Sequence, residues 1–203
     1  MPSEADLLND ALGQIGASRI SNIDDESINA NHCKVFYPSL RDGLIRMHHW
    51  NFAMARVQLA VNATPPAFGY ALSYALPPEL LKIVEYYGGF SNITLVAWPW
   101  DAPIPPDTGK YVIEGRDLFT NDSPVLIVYL QRITDPNLMD SIFYQALATW
   151  LASKLAAAIT KDTKKAADLL GMANGLLLPL GMSVDGQENT VVPMTSNYLI
   201  WGR

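Results

Sequence analysis

A chain of 203 residues and 22.3 kDa sits near the upper edge of the ~100 to 200 residues usual for one domain, which excludes a multi-enzyme chain. Hydrophobic residues make up 49%, ample for a core without disulfides, while the charged fraction of 17% falls below the ~25% typical of soluble domains, so part of the surface is expected to face another protein rather than water. Twenty acidic against fourteen basic side chains give a net charge of -6, which argues against tight binding of nucleic acid.

The opening segment has neither the basic region nor the apolar core of a signal peptide, and no unbroken apolar run approaches the ~18 residues of a membrane span, so a soluble, non-secreted protein is expected. Residues 3 to 15 predict an amphipathic helix: Ser3 as N-cap, a stripe of Leu7, Leu8, Ala11, Leu12 and Ile15, and Gly16 as the stop. A second helix is expected from Asp24 or Asp25 to His48, with Pro38 as a kink. The single Cys33 lies on its apolar face, where a thiol is inert packing, and fits assembly in a reducing cytosol.

From Trp50 to about Tyr129 the pattern changes to short apolar runs between turns, FAMARVQLAV, FGYALSYAL, NITLVAW, KYVIEG and PVLIVYL, which predict a small antiparallel sheet domain. The segment WPWDAPIPPDTG is too rich in proline for regular structure and reads as a loop or arm. A third helix is expected where Asp135 caps and Pro136 takes the first turn. Leu138, Ile142, Ala146, Trp150 and Ser153 lie on one face and Phe143, Leu147, Leu151, Leu155 and Ile159 on another, so it should be central. A fourth should run from about Asp162 to Leu178, with Lys161, Lys164 and Lys165 outward and Ala167, Leu170, Ala173 and Leu177 inward. After Pro179 the periodicity collapses, and residues 180 to 203 read as an extended arm ending in Tyr198, Leu199, Ile200 and Trp201.

The fold expected is therefore α+β: a helical bundle from residues 1-49 and 130-179, an inserted β domain over 50-129, and the C-terminal arm 180-203. No residue set carries chemistry. His48 and His49 diverge by ~100 degrees on a helix and lack a nearby carboxylate in sequence, so neither a metal nor a catalytic role is assigned; one His against Trp50 is expected instead. Asp24, Asp25 and Glu26 read as a helix start. Trp98 and Trp100, stiffened by neighbouring prolines, read as a sugar-stacking or partner-binding platform, or else as a cap on the sheet.

The order ALGQIGASRISNIDDESINANHC, RMHHWNFAMARVQLA, YALPPELLKI and YVIEGRDLFTNDSPVLIVYLQRITDPNLMDSIFYQALATWLASKLAAAITKD resembles the tail tubular protein A family, the head-to-tail adaptors of short-tailed bacteriophages, over about residues 5 to 178. Departures from the family pattern are His49, where relatives often carry Pro before the Trp, and the proline-rich stretch around Trp98 to Pro106, which does not align. The resemblance implies a virion structural protein without catalytic residues or cofactors. Made in the host cytoplasm, it would sit at the head-tail junction as a ring of twelve, docked between the portal protein and the tail nozzle or hub. Contact with genomic DNA would be transient and non-specific, and no membrane would be involved.

Within this scheme Asp117, Asp122, Glu79 and Glu85 are candidate lining residues of the channel, and Tyr198, Leu199, Ile200, Trp201, Trp98 and Trp100 candidate partner contacts. The alternatives are a head-completion connector of a long-tailed phage, and a carbohydrate-binding or hydrolytic tail module resting on the tryptophans and the His pair.

Overall fold

The computed structural model describes residues 2–89 and 111–188. Helices and small antiparallel sheets share the chain, so the class is α+β as expected. Helix α1 (Glu4–Ile15) opens on a capping box: the Ser3 hydroxyl accepts from the Asp6 amide while the Asp6 side chain accepts from the Ser3 backbone. It closes on Gly16 at φ +74, a conformation that costs glycine nothing. Its buried residues are the expected stripe, Leu7, Leu8, Ala11, Leu12 and Ile15.

Helix α2 (Ile28–Met47) begins later than expected, because Ser27 and not Asp24 or Asp25 caps it, accepting from the Ala30 amide at 3.1 Å. The two aspartates shape the approach instead. Asp25 Oδ2 accepts from the amides of Ser21 (2.7 Å) and Asn22 (3.1 Å), and Asp24 pairs with Lys34 at 2.6 Å. Pro38 lies inside the helix.

A short 3-10 turn, Asn51–Ala53, leads into the strands, six among the described residues: β1 (Met54–Gln58), β2 (Leu72–Ala75), β3 (Leu80–Gly88), β4 (Tyr111–Glu114), β5 (Asp117–Thr120) and β6 (Val125–Gln131). They form two antiparallel sheets of three, ordered β1-β6-β3 and β2-β5-β4. The expected strand NITLVAW and the proline-rich WPWDAPIPPDTG lie outside the described residues. Alternation along β6 decides how the layers stack. Val125, Ile127 and Tyr129 join Tyr74, Tyr86 and Leu118 in a core between the sheets, whereas Leu130 joins the helical core. β6 is thus covered on both sides, which is why it reads as a near-continuous apolar run.

Asp135 and Pro136 open a 3-10 turn (Pro136–Leu138) rather than the third helix. Helix α3 (Ser141–Leu155) has a cap of its own, Asp140, whose Oδ1 accepts from the amides of Ile142 (2.8 Å) and Phe143 (3.1 Å). Phe143, Leu147, Leu151 and Leu155 are fully buried along one face of α3, while Trp150 on the other is only half-buried and Leu138, ahead of the helix, is exposed. α1, α2 and the following helix all pack on α3, which is therefore the central element its two apolar faces predict. It ends in a π-helical turn (Ala156–Thr160), closed by Lys161 in the left-handed region at φ 56.

The last helical stretch runs from Thr163 to Gln187 without a break: α4 (Thr163–Met172), a π-helical turn (Ala173–Leu177) and α5 (Leu178–Gln187). The helix therefore passes Pro179, and residues 180 to 187 of the expected arm are helical. Proline cannot donate to the preceding turn and crowds the carbonyl four residues back. The wide turn relieves that conflict, since the Leu178 amide already bonds five residues back, to the Ala173 carbonyl. Ala166, Leu169, Ala173 and Leu177 pack inward, whereas Ala167, expected inward, is exposed.

Two helices, Ser141–Thr160 and Thr163–Gln187, are long and apolar enough by length and composition to cross a bilayer. A count of unbroken apolar runs misses them because scattered polar residues interrupt each run, and because Pro179 does not end the second. The first is 56% buried over its most apolar window, the second 22%.

Candidate interaction surface

The His48–Trp50 junction is where the sequence places its one cluster of ligand types, and the structure adds a residue to it. The Trp50 ring is fully buried, its Nε1 donates to the Leu44 carbonyl at 3.1 Å, and it meets Phe143 edge-on at 5.0 Å between centroids. His48 packs on Trp50 at 4.9 Å, nearly perpendicular, as expected of one member of the pair.

Its Nε2 lies 3.0 Å from Oδ2 of Asp185, a buried carboxylate delivered by α5. Asp185 Oδ1 also accepts from the Asn51 amide (2.8 Å), and its carbonyl accepts from Asn51 Nδ2 (2.8 Å). Gly181, one turn earlier, sits directly on the Trp50 ring and Ile142. Both carboxylate oxygens are thus spent on holding α5 against the turn that enters β1. A carboxylate does lie beside the histidine, contrary to the sequence reading, because it comes from the stretch that reads as an arm.

His49 lies 3.3 Å from Lys82 Nζ, and desolvation followed by the lysine charge lowers its pKa. Cys33 is buried in the helical core, and burial pushes its thiol up to about 11. Among the described residues no three His, Cys, Asp or Glu side chains gather as a metal site would need.

The four candidate channel carboxylates belong to the sheets and their connections, and each accepts a side-chain hydrogen bond. Asp117 accepts from Asn62 Nδ2 (3.0 Å), Asp122 from the Tyr86 hydroxyl (2.9 Å), Glu79 from Tyr129 (3.3 Å) and Glu85 from Tyr87 (2.5 Å). Trp98, Trp100, Tyr198, Leu199, Ile200 and Trp201 lie outside the described residues.

What sequence reasoning misses is an apolar stripe on the outside of the last helix. Met172, Leu176 and Leu180, four residues apart, are 49%, 56% and 47% exposed. On α2, Ile28 (74%) and Val35 (69%) are likewise turned to solvent. Both helices bury their other faces on α3, so the two surfaces point away from it. The signal is present as Met and Leu at i, i+4 spacing, but reading Pro179 as a stop cuts the repeat short.

No family model matches the chain, and no curated protein matches it.

Proposed function

We propose that this protein is a structural head-to-tail adaptor of a tailed phage, a helical bundle with an inserted β domain that joins the portal to the tail nozzle or hub as a ring of twelve and surrounds the path of the DNA. The observation that carries the reading is the exposed apolar face of the helix Thr163–Gln187, 22% buried in its most apolar stretch. An apolar face of this length on a single chain is a surface for another protein. Its first turns carry Lys164, Lys165 and Asp168, and its last turns are fixed by Asp185, which suits a subunit boundary better than lipid.

The order of sequence blocks that resembles the tail tubular protein A family supports the same reading, and the net charge of -6 suits a conduit that does not grip its polyanionic cargo. The test is electron microscopy of the chain mixed with purified portal complexes of the same virion. Added rings on the portal are expected; portals left bare would overturn the proposal.

A second reading, a carbohydrate-binding tail module, has one specific observation in its favour. A cleft of about 680 Å³ beside residues 62 to 70 is lined by Phe68, Tyr70, Phe119, Asn62, Glu114 and Asp117, and Phe68 is 89% exposed. Rings beside carboxylates and amides are the usual means of holding a sugar. Binding on a glycan array that is lost in Phe68→Ala would favour it.

A further inference from the structure

We propose that the cavity flanked by β3 and β4 is a binding site for a small phosphate monoester, its phosphate held by Arg46, Lys82 and Arg116 and its organic body lying on an apolar floor. This goes beyond the adaptor reading and does not depend on it. β3 is an edge strand of one sheet and β4 of the other, and residues of both, with the last turn of α2, line a cavity of about 390 Å³. That is the small end of the ~300 to 1,000 Å³ usual for ligand sites, enough for one ring-sized body.

The three cations arrive from separate elements: α2, β3 and the turn that joins β4 to β5. The turn is pinned at Arg116, whose carbonyl accepts from the Leu76 amide (3.0 Å) and whose guanidinium donates to the Pro77 carbonyl. Among the described residues none of the three forms an ion pair with a carboxylate, in a chain whose net charge is -6. Glu79 and Glu85 accept instead from Tyr129 and Tyr87 and are not in the lining.

His49, 3.3 Å from Lys82, is held below its usual range by desolvation and then by that lysine, so it adds no charge at neutral pH. The carbonyl end of α2 beside Arg46 supplies about half a negative charge. More than two positive charges are left to be met, which suits the dianion of a phosphate monoester better than one carboxylate or one diester. Leu76, Ile83, Tyr111 and Ile113 form the floor, with the Tyr111 ring fixed by stacking on Tyr86 at 4.6 Å. Such a floor fits an aromatic or aliphatic body and offers inorganic phosphate nothing.

The test is calorimetric titration of the full chain at low salt with phenyl phosphate, inorganic phosphate and benzoate. Phenyl phosphate should bind once per chain. Inorganic phosphate, without the body, and benzoate, without the second charge, should bind about tenfold or more weaker. Arg46→Gln, Lys82→Gln and Arg116→Gln should each weaken phenyl phosphate by about tenfold or more, and Lys164→Gln on α4 should leave it unchanged. The three side chains are exposed, so thermal melts of the variants should match wild type. Because Arg116 also pins its turn, Arg116→Lys, which keeps the charge, should recover part of the binding. Competition by an oligonucleotide carrying a 5′-phosphate, but not by the same strand without it, would add strand ends to free esters as ligands; failure of both to compete would leave free esters alone, and the monoester assignment stands in either case. Displacement by both strands alike, benzoate binding as tightly as phenyl phosphate, or no binding of phenyl phosphate at millimolar concentration would overturn the proposal.

Discussion

The Asp185 carboxylate lies 3.0 Å from His48 Nε2, across 137 residues of chain, and its other oxygen takes the Asn51 amide at 2.8 Å. One buried side chain thereby ties the end of the last helix to the turn that leads into β1. Removing it leaves the half-buried Asn51 amide without its acceptor, which costs about 1 to 3 kcal/mol. Asp185→Ala should lower stability by that amount and make the chain sensitive to proteases near Gln187. Asp185→Asn, which keeps an acceptor for Asn51, should cost less. Equal urea midpoints for wild type and Asp185→Ala would contradict the role assigned to this carboxylate.

Two tryptophans in the helical region separate by burial. Trp50 is fully buried against Phe143 and hydrogen-bonded to Leu44, so Trp50→Ala opens a cavity and should cost about 3 to 5 kcal/mol. Trp150 is only half-buried, and Trp150→Ala should cost distinctly less. Thermal melts of the two variants check the order. This reverses the weight the helical repeat gives Trp150.

Much of the helical half is legible in the sequence because caps and stripes act locally. Ser3, Gly16 and the α1 stripe need only their own turn to be read. The start of α2 is harder, because Asp24, Asp25 and Glu26 offer three acidic candidates ahead of Ser27, and the choice depends on Asp25 being occupied by Ser21 and Asn22. β3 escapes because register shifts between Leu80 and Lys82 and between Ile83 and Glu85 break its alternation. The apolar stripe of the last helix escapes for a similar reason: a π turn, invisible in composition, carries the helix through Pro179. Pairings such as His48 with Asp185 depend on the tertiary fold.

Gly88 ends β3 against the Asp122 carboxylate and the Tyr86 hydroxyl, both nearer to an added Cβ than van der Waals contact permits. Tyr86 donates to Asp122 at 2.9 Å and stacks on Tyr111 at 4.6 Å. Gly88→Ala should therefore push Asp122 and Tyr86 apart and destabilise the core between the sheets by about 1 to 3 kcal/mol. Gly43→Ala, on α2 with open space around it, is the control and should be neutral or stabilising. Chemical denaturation of both variants, followed by tyrosine fluorescence, reads the difference.

The helical core should make the protein sensitive to base rather than to mild acid. Burial pushes the Cys33 thiol from 9.0 up to about 11 and, for Tyr37, outweighs the Arg41 charge to push the phenol from 10.0 up to about 12. Both groups hold their protons more tightly when folded, so the unfolded chain releases them first as pH rises. The Cys33 contribution is full below about pH 9 and is lost by about pH 11; that of Tyr37 is full below about pH 10 and is lost by about pH 12. Each is worth on the order of 2 to 3 kcal/mol. Urea midpoints should stay level from neutral pH to about 9 and then decline, and Cys33→Ala should delay the onset of the decline by about one unit. In the native state near pH ~8 the thiol should resist alkylation that proceeds readily in denaturant. Rapid native labelling would place Cys33 in contact with solvent and remove the basis for the first step of the decline.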